Sequence, residues 1–140
     1  GDKVYSPVID KGGADYIVSF ELLEAARWTE YLRKDGVLVT NTQQINPMPV
    51  ITGAAQYPAD LAAKMQSAGI QVDAFDALRL AEQAGSAKAV NIVLMGHLSR
   101  YFDFTEEEWM DAIEKSVPAS KAWLIEKNIE AVNIGYNYSE

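Results

Sequence analysis

The residues best suited to chemistry are few, and their spacing excludes most of what they could do alone. The one histidine, His97, falls on a stretch where Val93, Leu94 and Leu98 recur at helical spacing. A single imidazole with no cysteine beside it cannot build a typical zinc site. No serine stands in a relation to it that marks a triad. His97 is therefore read as a structural or surface side chain. Glu106-Glu107-Glu108 has the composition of a metal cluster but not its geometry, because consecutive helical residues point in different directions. A first helical turn, where the helix dipole favours carboxylates, explains the run. There is no G-x-G-x-x-G and no G-x-x-x-x-G-K-[ST]. Gly12-Gly13 lies between two strand candidates rather than ahead of a helix, so it reads as a turn and not as a phosphate cradle. No catalytic, cofactor-binding or metal-ligating residue is assigned.

The strand ends are more informative. In open α/β sheets, ligands bind outside the carboxyl ends of the strands. Here those ends are Phe20-Glu21, Asn41-Thr42 and Asp76. Asn41-Thr42 is polar, uncharged and followed by a proline-bearing loop. It is either part of a binding crevice or an Asx or Ser/Thr turn that caps the strand exit. Asn91 follows Val90 on a helix whose apolar stripe faces inward, so its amide is expected at the core margin. The candidate crevice is thus Glu21, Asn41, Thr42 and Asn91, with Asn41 and Thr42 expected near Asn91 or Glu21.

The elements that must position these residues follow from periodicity. Val4 to Ile9 is a short strand candidate. Tyr16 to Phe20 is an apolar run of buried-strand type. A helix is expected from about Glu21 to Arg33, ended by Asp35-Gly36. Val37 to Thr40 is the next strand, which closes a right-handed βαβ unit. Asn46-Pro47-Met48-Pro49 is irregular, and Val50 to Thr52 reads as a minor strand. Pro58 suits the first turn of a helix that Gly69 stops. Ile70 to Phe75 is a third parallel strand. Asp76 caps a short helix and Ser86 a longer one. Thr105 and Glu108 form a capping box. Pro118 opens the last helix, with Ala122, Ile125, Ile129 and Val132 facing the core and a frayed tail from Tyr136 to Glu140. Trp28, Trp109 and Trp123 fall on three different helices and are core or interface residues. The pattern is a single α/β domain over 1–140. Its expected form is three layers, with an open, mostly parallel sheet and helices on both faces.

Composition narrows the function. The net charge is −8 and no basic run exists, which argues against nucleic acid and against an anionic membrane surface. There are no cysteines, so these 140 residues have no disulfide, no thiolate ligand for an iron–sulfur cluster and no Cys nucleophile. No apolar run reaches the length of a membrane-spanning helix. A cytoplasmic location is expected.

Several short stretches, taken in order, resemble one family. Ser6-Pro7-Val8-Ile9, Gly12-Gly13-Ala14-Asp15 and Glu21-Leu22-Leu23-Glu24-Ala25 are similar to the "SPLI…GGAD…LEPLEA" stretch of the γ subunits of 2-oxoacid:ferredoxin oxidoreductases. Asp35 to Thr42 resembles the following strand, which ends in Asn-Thr. Ile45-Asn46-Pro47 and Tyr57-Pro58 resemble its proline-bearing turns. Asp76-Ala77, Leu80-Ala81 and Gly85 resemble a "DA…LA…G" helix, and Asn91 to Gly96 an "N-x-V-x-x-G" helix. The matches run from about residue 3 to 118 and are nearest in style to the indolepyruvate branch, with the pyruvate and 2-oxoglutarate branches as rivals. The family's opening strand and G-x-G-G-Q-G turn have no counterpart, so its N-terminal βα unit is expected to be missing.

The resemblance implies a non-redox subunit of a complex that decarboxylates a 2-oxoacid and releases an acyl-CoA. Thiamine diphosphate, magnesium and [4Fe-4S] clusters would sit in a larger partner subunit, with ferredoxin contacted only indirectly. This chain would carry no cofactor, would be inactive alone, and would be able to self-associate as a homodimer when isolated. Its crevice would lie on the substrate or CoA side. Two other readings compete: a stand-alone flavodoxin-like small-molecule-binding domain, and a scaffold without a ligand.

Overall fold

The structure, a computed structural model, describes residues 6–139. It falls into two compact units, 1–74 and 75–140.

The first unit is built on an open parallel sheet in the order β1-β2-β3. Its strands are β1 (Ala14–Ser19), β2 (Leu32–Asn41) and β3 (Gln71–Phe75). β2 is the central strand. Val37 to Asn41 are buried without alternation, as required of a strand covered on both faces. Helix α1 (Leu22–Trp28) joins β1 to β2, with a 3-10 turn at Thr29–Tyr31. A single turn, α2 (Met48–Ile51), and α3 (Leu61–Ser67) precede β3. Leu22 and Ala25 of α1, Leu61 and Met65 of α3, and Leu38 of β2 form one core cluster. Burial of that apolar surface, at about 25 cal/mol per Å², holds the helices on the sheet.

Four sequence expectations are corrected in this unit. The helix expected over Glu21–Arg33 is half that length, because Asp35-Gly36 does not end it. Those residues form a kink inside β2, which already begins at Leu32. Ala14 pairs with Leu32 but Tyr16 pairs with Val37, so β2 bows outward in between. Asp35 adopts a φ of 63° there. A Cβ on Gly36 would lie 2.8 Å from Asp15 O, so only glycine lets the strands close up again. Val50 to Thr52 is not a strand: Pro49 supplies a first-turn φ, and Val50, Ile51 and Thr52 donate back to Pro47 and Met48 carbonyls. Pro58 lies ahead of α3 rather than in its first turn. Of the strand expected over Val4–Ile9, residues 4 and 5 lie outside the described residues. Residues 6–9 form a turn in which Ser6 Oγ accepts from Val8 N–H at 3.1 Å. Gly69 does stop α3: it takes a φ of 85°, and Ile70 N–H reaches back to Met65 O at 3.1 Å in a Schellman closure.

The second unit is helical after Phe75. It comprises α4 (Ala77–Gln83), α5 (Val90–Leu98), α6 (Glu106–Ser116) and α7 (Leu124–Asn137). Asp76 caps α4 through Arg79 N–H at 2.9 Å, and the Thr105–Glu108 capping box is complete. The close crossing of α5 and α7 rests on two glycines. A Cβ on Gly96 would lie 2.2 Å from Val132 O, and one on Gly135 2.0 Å from Val93 O. Backbone therefore meets backbone. The fifth correction falls on the last helix. Its buried residues are Ala131, Val132 and Gly135, whereas Ala122 is exposed before the helix begins. The tail is also anchored: Tyr138 stacks on Phe75 at 5.1 Å, and its carbonyl accepts from Arg100 at 2.7 Å. Among the described residues no helix is long and apolar enough to cross a membrane.

Candidate functional site

The carboxyl ends of β1 and β2 are joined by a hydrogen-bonded cluster within the first unit. It starts at Ser19, the last residue of β1, whose hydroxyl donates to Glu21 O at 2.7 Å. That turn sets Glu21 in extended backbone as the N-cap of α1. Its Oε2 accepts from Glu24 N–H at 2.8 Å. Its Oε1 accepts from Ile45 N–H at 3.1 Å and from the Tyr57 hydroxyl. Glu21 thus caps its own helix and grips two points on the chain that follows β2.

The electrostatics follow from that set of donors. Burial pushes the Glu21 carboxyl up, but the Tyr57 hydroxyl and the N–H groups of Glu24 and Ile45 outweigh it. The net pKa lies below the ordinary carboxylate range. Glu21 is therefore a buried anion at neutral pH. Burial, and then the bond to that anion, push the Tyr57 phenol up to about 12. Tyr57 remains a donor across the physiological range. A carboxylate held this way is a fixed acceptor, not a proton shuttle near neutrality.

Asn41 completes the cluster from the end of β2. It is fully buried. Its Nδ2 donates to Phe20 O and to Gln43 Oε1, both at 3.3 Å. Leu22 N–H in turn donates to Gln43 O at 3.1 Å. The sequence-selected residues thus sort by position. Glu21 and Asn41 come together through Phe20, Leu22 and Gln43. Thr42 is exposed immediately after Asn41, on the loop this cluster holds. Asn91 belongs to the second unit, where it is exposed rather than at the core margin and lines a different hollow. Asn41 has no exposed surface, so it acts on the loop and not on a ligand directly. Glu21 and Phe20 stand at one end of an open, mainly apolar hollow of about 750 Å³ that runs along β1 past Val8, Ile9 and Trp28.

Sequence reasoning missed Tyr57, Ser19 and Gln43. Tyr57 stands out only as the residue before a proline, and its partner is thirty-six positions away. His97, by contrast, lies where its helical neighbours put it. It is buried, and its Nδ1 meets Gly135 O at 3.0 Å.

The model of the pyruvate ferredoxin/flavodoxin oxidoreductase family matches residues 1–138. The chain belongs to that family. Among curated proteins it is 39% identical to the indolepyruvate oxidoreductase subunit IorB of Thermococcus kodakarensis, with 96% of this chain and 68% of that one covered. It is 33% identical to the IorB of Archaeoglobus fulgidus, covering 96% and 67%. The fold is shared with the keto/oxoacid ferredoxin oxidoreductase gamma subunit of Geobacter sulfurreducens PCA. That match has a TM-score of 0.61 at 19% identity, over 92% of this chain and 66% of that one. The pyruvate oxidoreductase subunit PORC of Thermotoga maritima matches with a TM-score of 0.60 at 21% identity, over 90% and 64%. The chain therefore spans about two thirds of the length of the proteins it resembles.

Proposed function

We propose that this chain is the non-redox subunit of a 2-oxoacid:ferredoxin oxidoreductase acting on indolepyruvate or a similar aryl-substituted 2-oxoacid. A larger partner subunit carries thiamine diphosphate, magnesium and the iron–sulfur clusters, and there the oxoacid is decarboxylated and its acyl group passed to CoA. This chain supplies shape. Its β2-exit loop, beginning at Thr42 and fixed by Glu21, Asn41 and Tyr57, borders the entrance on the substrate or CoA side. The observation that carries the reading is the family match along nearly the whole chain, together with relatives of the indolepyruvate type at 25–39% identity. The lack of any cysteine supports the division of labour, since the clusters need thiolate ligands from elsewhere.

The test is kinetic, in the assembled enzyme. Thr42 is exposed, so Thr42→Val leaves folding and assembly intact. It should change KM for the oxoacid or for CoA several-fold. Unchanged kinetics in an intact complex would reduce this loop to a strand cap.

A further inference from the structure

The second unit carries three adjoining hollows that the reading above does not use. The first, of about 300 Å³, opens between α6 and α7, where Phe104, Glu106, Trp109, Asn133, Tyr136 and Asn137 line it. A second, of about 240 Å³, shares Phe104 and Trp109 with it and adds Glu108. A third, of about 500 Å³, shares Asn133 and Asn137 and continues along α7 to Glu130 and Glu126. Glu126, Glu130, Asn133 and Asn137 recur at helical spacing, so they share one face of α7. From Glu126 to Asn137 that face rises about 16 Å at 1.5 Å per residue. About five residues of extended chain span the same length.

This track is sorted by charge. Glutamates line all three hollows, and no Lys or Arg lines any of them. Among the described residues none of Glu106, Glu108, Glu126 and Glu130 makes an ion pair. The segment 101–114 adds Asp103, Glu107, Asp111 and Glu114 and holds no basic residue. Of these, only Asp111 is paired among the described residues, with Lys115 at 2.6 Å. Such a field attracts a cationic partner and repels an anionic one.

The head of the track is aromatic. Phe104 and Trp109 meet edge to face, with ring centroids 6.0 Å apart and planes at 85°, which makes two walls of a corner. Phe104 is 58% exposed and Tyr136, across the hollow, 52%, a large aromatic surface to leave in water. The Trp109 Nε1–H is buried and has no acceptor among the described residues, a group that a partner's carbonyl satisfies. Rings at right angles with a carboxylate beside them suit a guanidinium, which stacks on the rings while its N–H fork meets the carboxylate.

We propose that this track docks a basic segment of the larger partner subunit, with one arginine in the Phe104–Trp109 corner against Glu106 and further basic side chains along Glu130 and Glu126. The inference rests on the reading of this chain as one subunit of a complex. A small cation would fill the first hollow and leave the α7 face unused. A second copy of this chain would bring a net charge of −8 to a face that is already acidic.

The experiment measures the affinity of this chain for the thiamine-bearing subunit at rising salt. The parent is compared with Phe104→Ala, with the triple variant Glu106→Gln, Glu126→Gln, Glu130→Gln, and with Glu114→Gln, which lines none of the three hollows. All the altered side chains are exposed, and far-UV circular dichroism checks that each variant is folded. Affinity should fall at least tenfold in Phe104→Ala and in the triple variant, and stay unchanged in Glu114→Gln. The parent's affinity should weaken as salt rises, and the triple variant's should do so much less. The inference alone is overturned if the parent binds and the triple variant matches it in affinity and salt dependence, or if Glu114→Gln weakens binding as much as the triple variant does. It is also overturned if free arginine binds this chain below the millimolar range, or if light scattering shows a dimer of this chain that the triple variant dissolves. A parent that does not bind the thiamine-bearing subunit at all would overturn the subunit reading and this inference together.

Discussion

Tyr57 donates its hydroxyl to Glu21 Oε1 across thirty-six positions of chain, and this contact ties the segment after β2 to the cap of α1. Tyr57→Phe removes one donor from a buried carboxylate and leaves the ring's packing in place. The expected cost is about 1–3 kcal/mol, that of under-satisfying a buried polar group. Urea unfolding of the two proteins measures it. The difference in tyrosinate absorbance between parent and variant should titrate at about 12. A difference that titrates at the ordinary phenol value would show that the bond does not form.

The pH dependence of stability has a definite sign. Glu21 is depressed below its unfolded value, so its contribution is present above the ordinary carboxylate range and is lost as pH falls through the folded pKa. Tyr57 is raised, so its contribution is complete below the unfolded phenol value and is lost as pH rises through about 12. Glu21→Gln should therefore be less stable than the parent at pH 7. The gap should close as pH falls through and below the ordinary carboxylate range, because the depressed Glu21 carboxyl is protonated only there. Thermal midpoints across that range test it, and a gap constant with pH would remove the ionic account of the cluster.

Much of this fold was legible because the signals were local. Asp76, Gly69, Gly85 and the Thr105–Glu108 box act within one or two turns of their own position, and each did what its type predicts. The apolar runs of β1, β2 and β3 were equally direct. The errors came where a distant partner overrode a local cue. Asp35-Gly36 reads as a helix stop but serves a strand kink, because Gly36 must clear the Asp15 carbonyl. The tail reads as frayed but is fixed by Phe75 and Arg100. At the site, strand-end logic picked out Glu21 and Asn41, which are linked through Phe20, Leu22 and Gln43. It could not find Tyr57, whose hydroxyl has no sequence signature. Asn91 was selected for a helix motif, and its surroundings are a hollow lined by Lys88, Lys121 and Lys127 instead.

The α5–α7 crossing makes a prediction of its own. Gly135→Ala would set a methyl 2.0 Å from Val93 O, in backbone that no rotamer can clear. The helices must separate, which costs about 3 kcal/mol or more. It would also disturb the His97 Nδ1 contact with Gly135 O. Gly53→Ala is the control: nothing lies within 4 Å of its Cβ position, and its φ of 77° limits the penalty to about 1 kcal/mol. Chemical denaturation of both variants ranks them, and a Gly135 variant as stable as the Gly53 variant would refute the close crossing.

The central claim is that this chain completes an oxidoreductase without carrying its redox centres. The direct measurement is indolepyruvate-dependent, CoA-dependent reduction of ferredoxin by the thiamine-bearing subunit, assayed with and without this chain. The account predicts turnover only when both are present, with no turnover and no bound iron in this chain alone. Turnover by the larger subunit at the same rate without this chain, or stoichiometric iron in this chain when purified by itself, would contradict it.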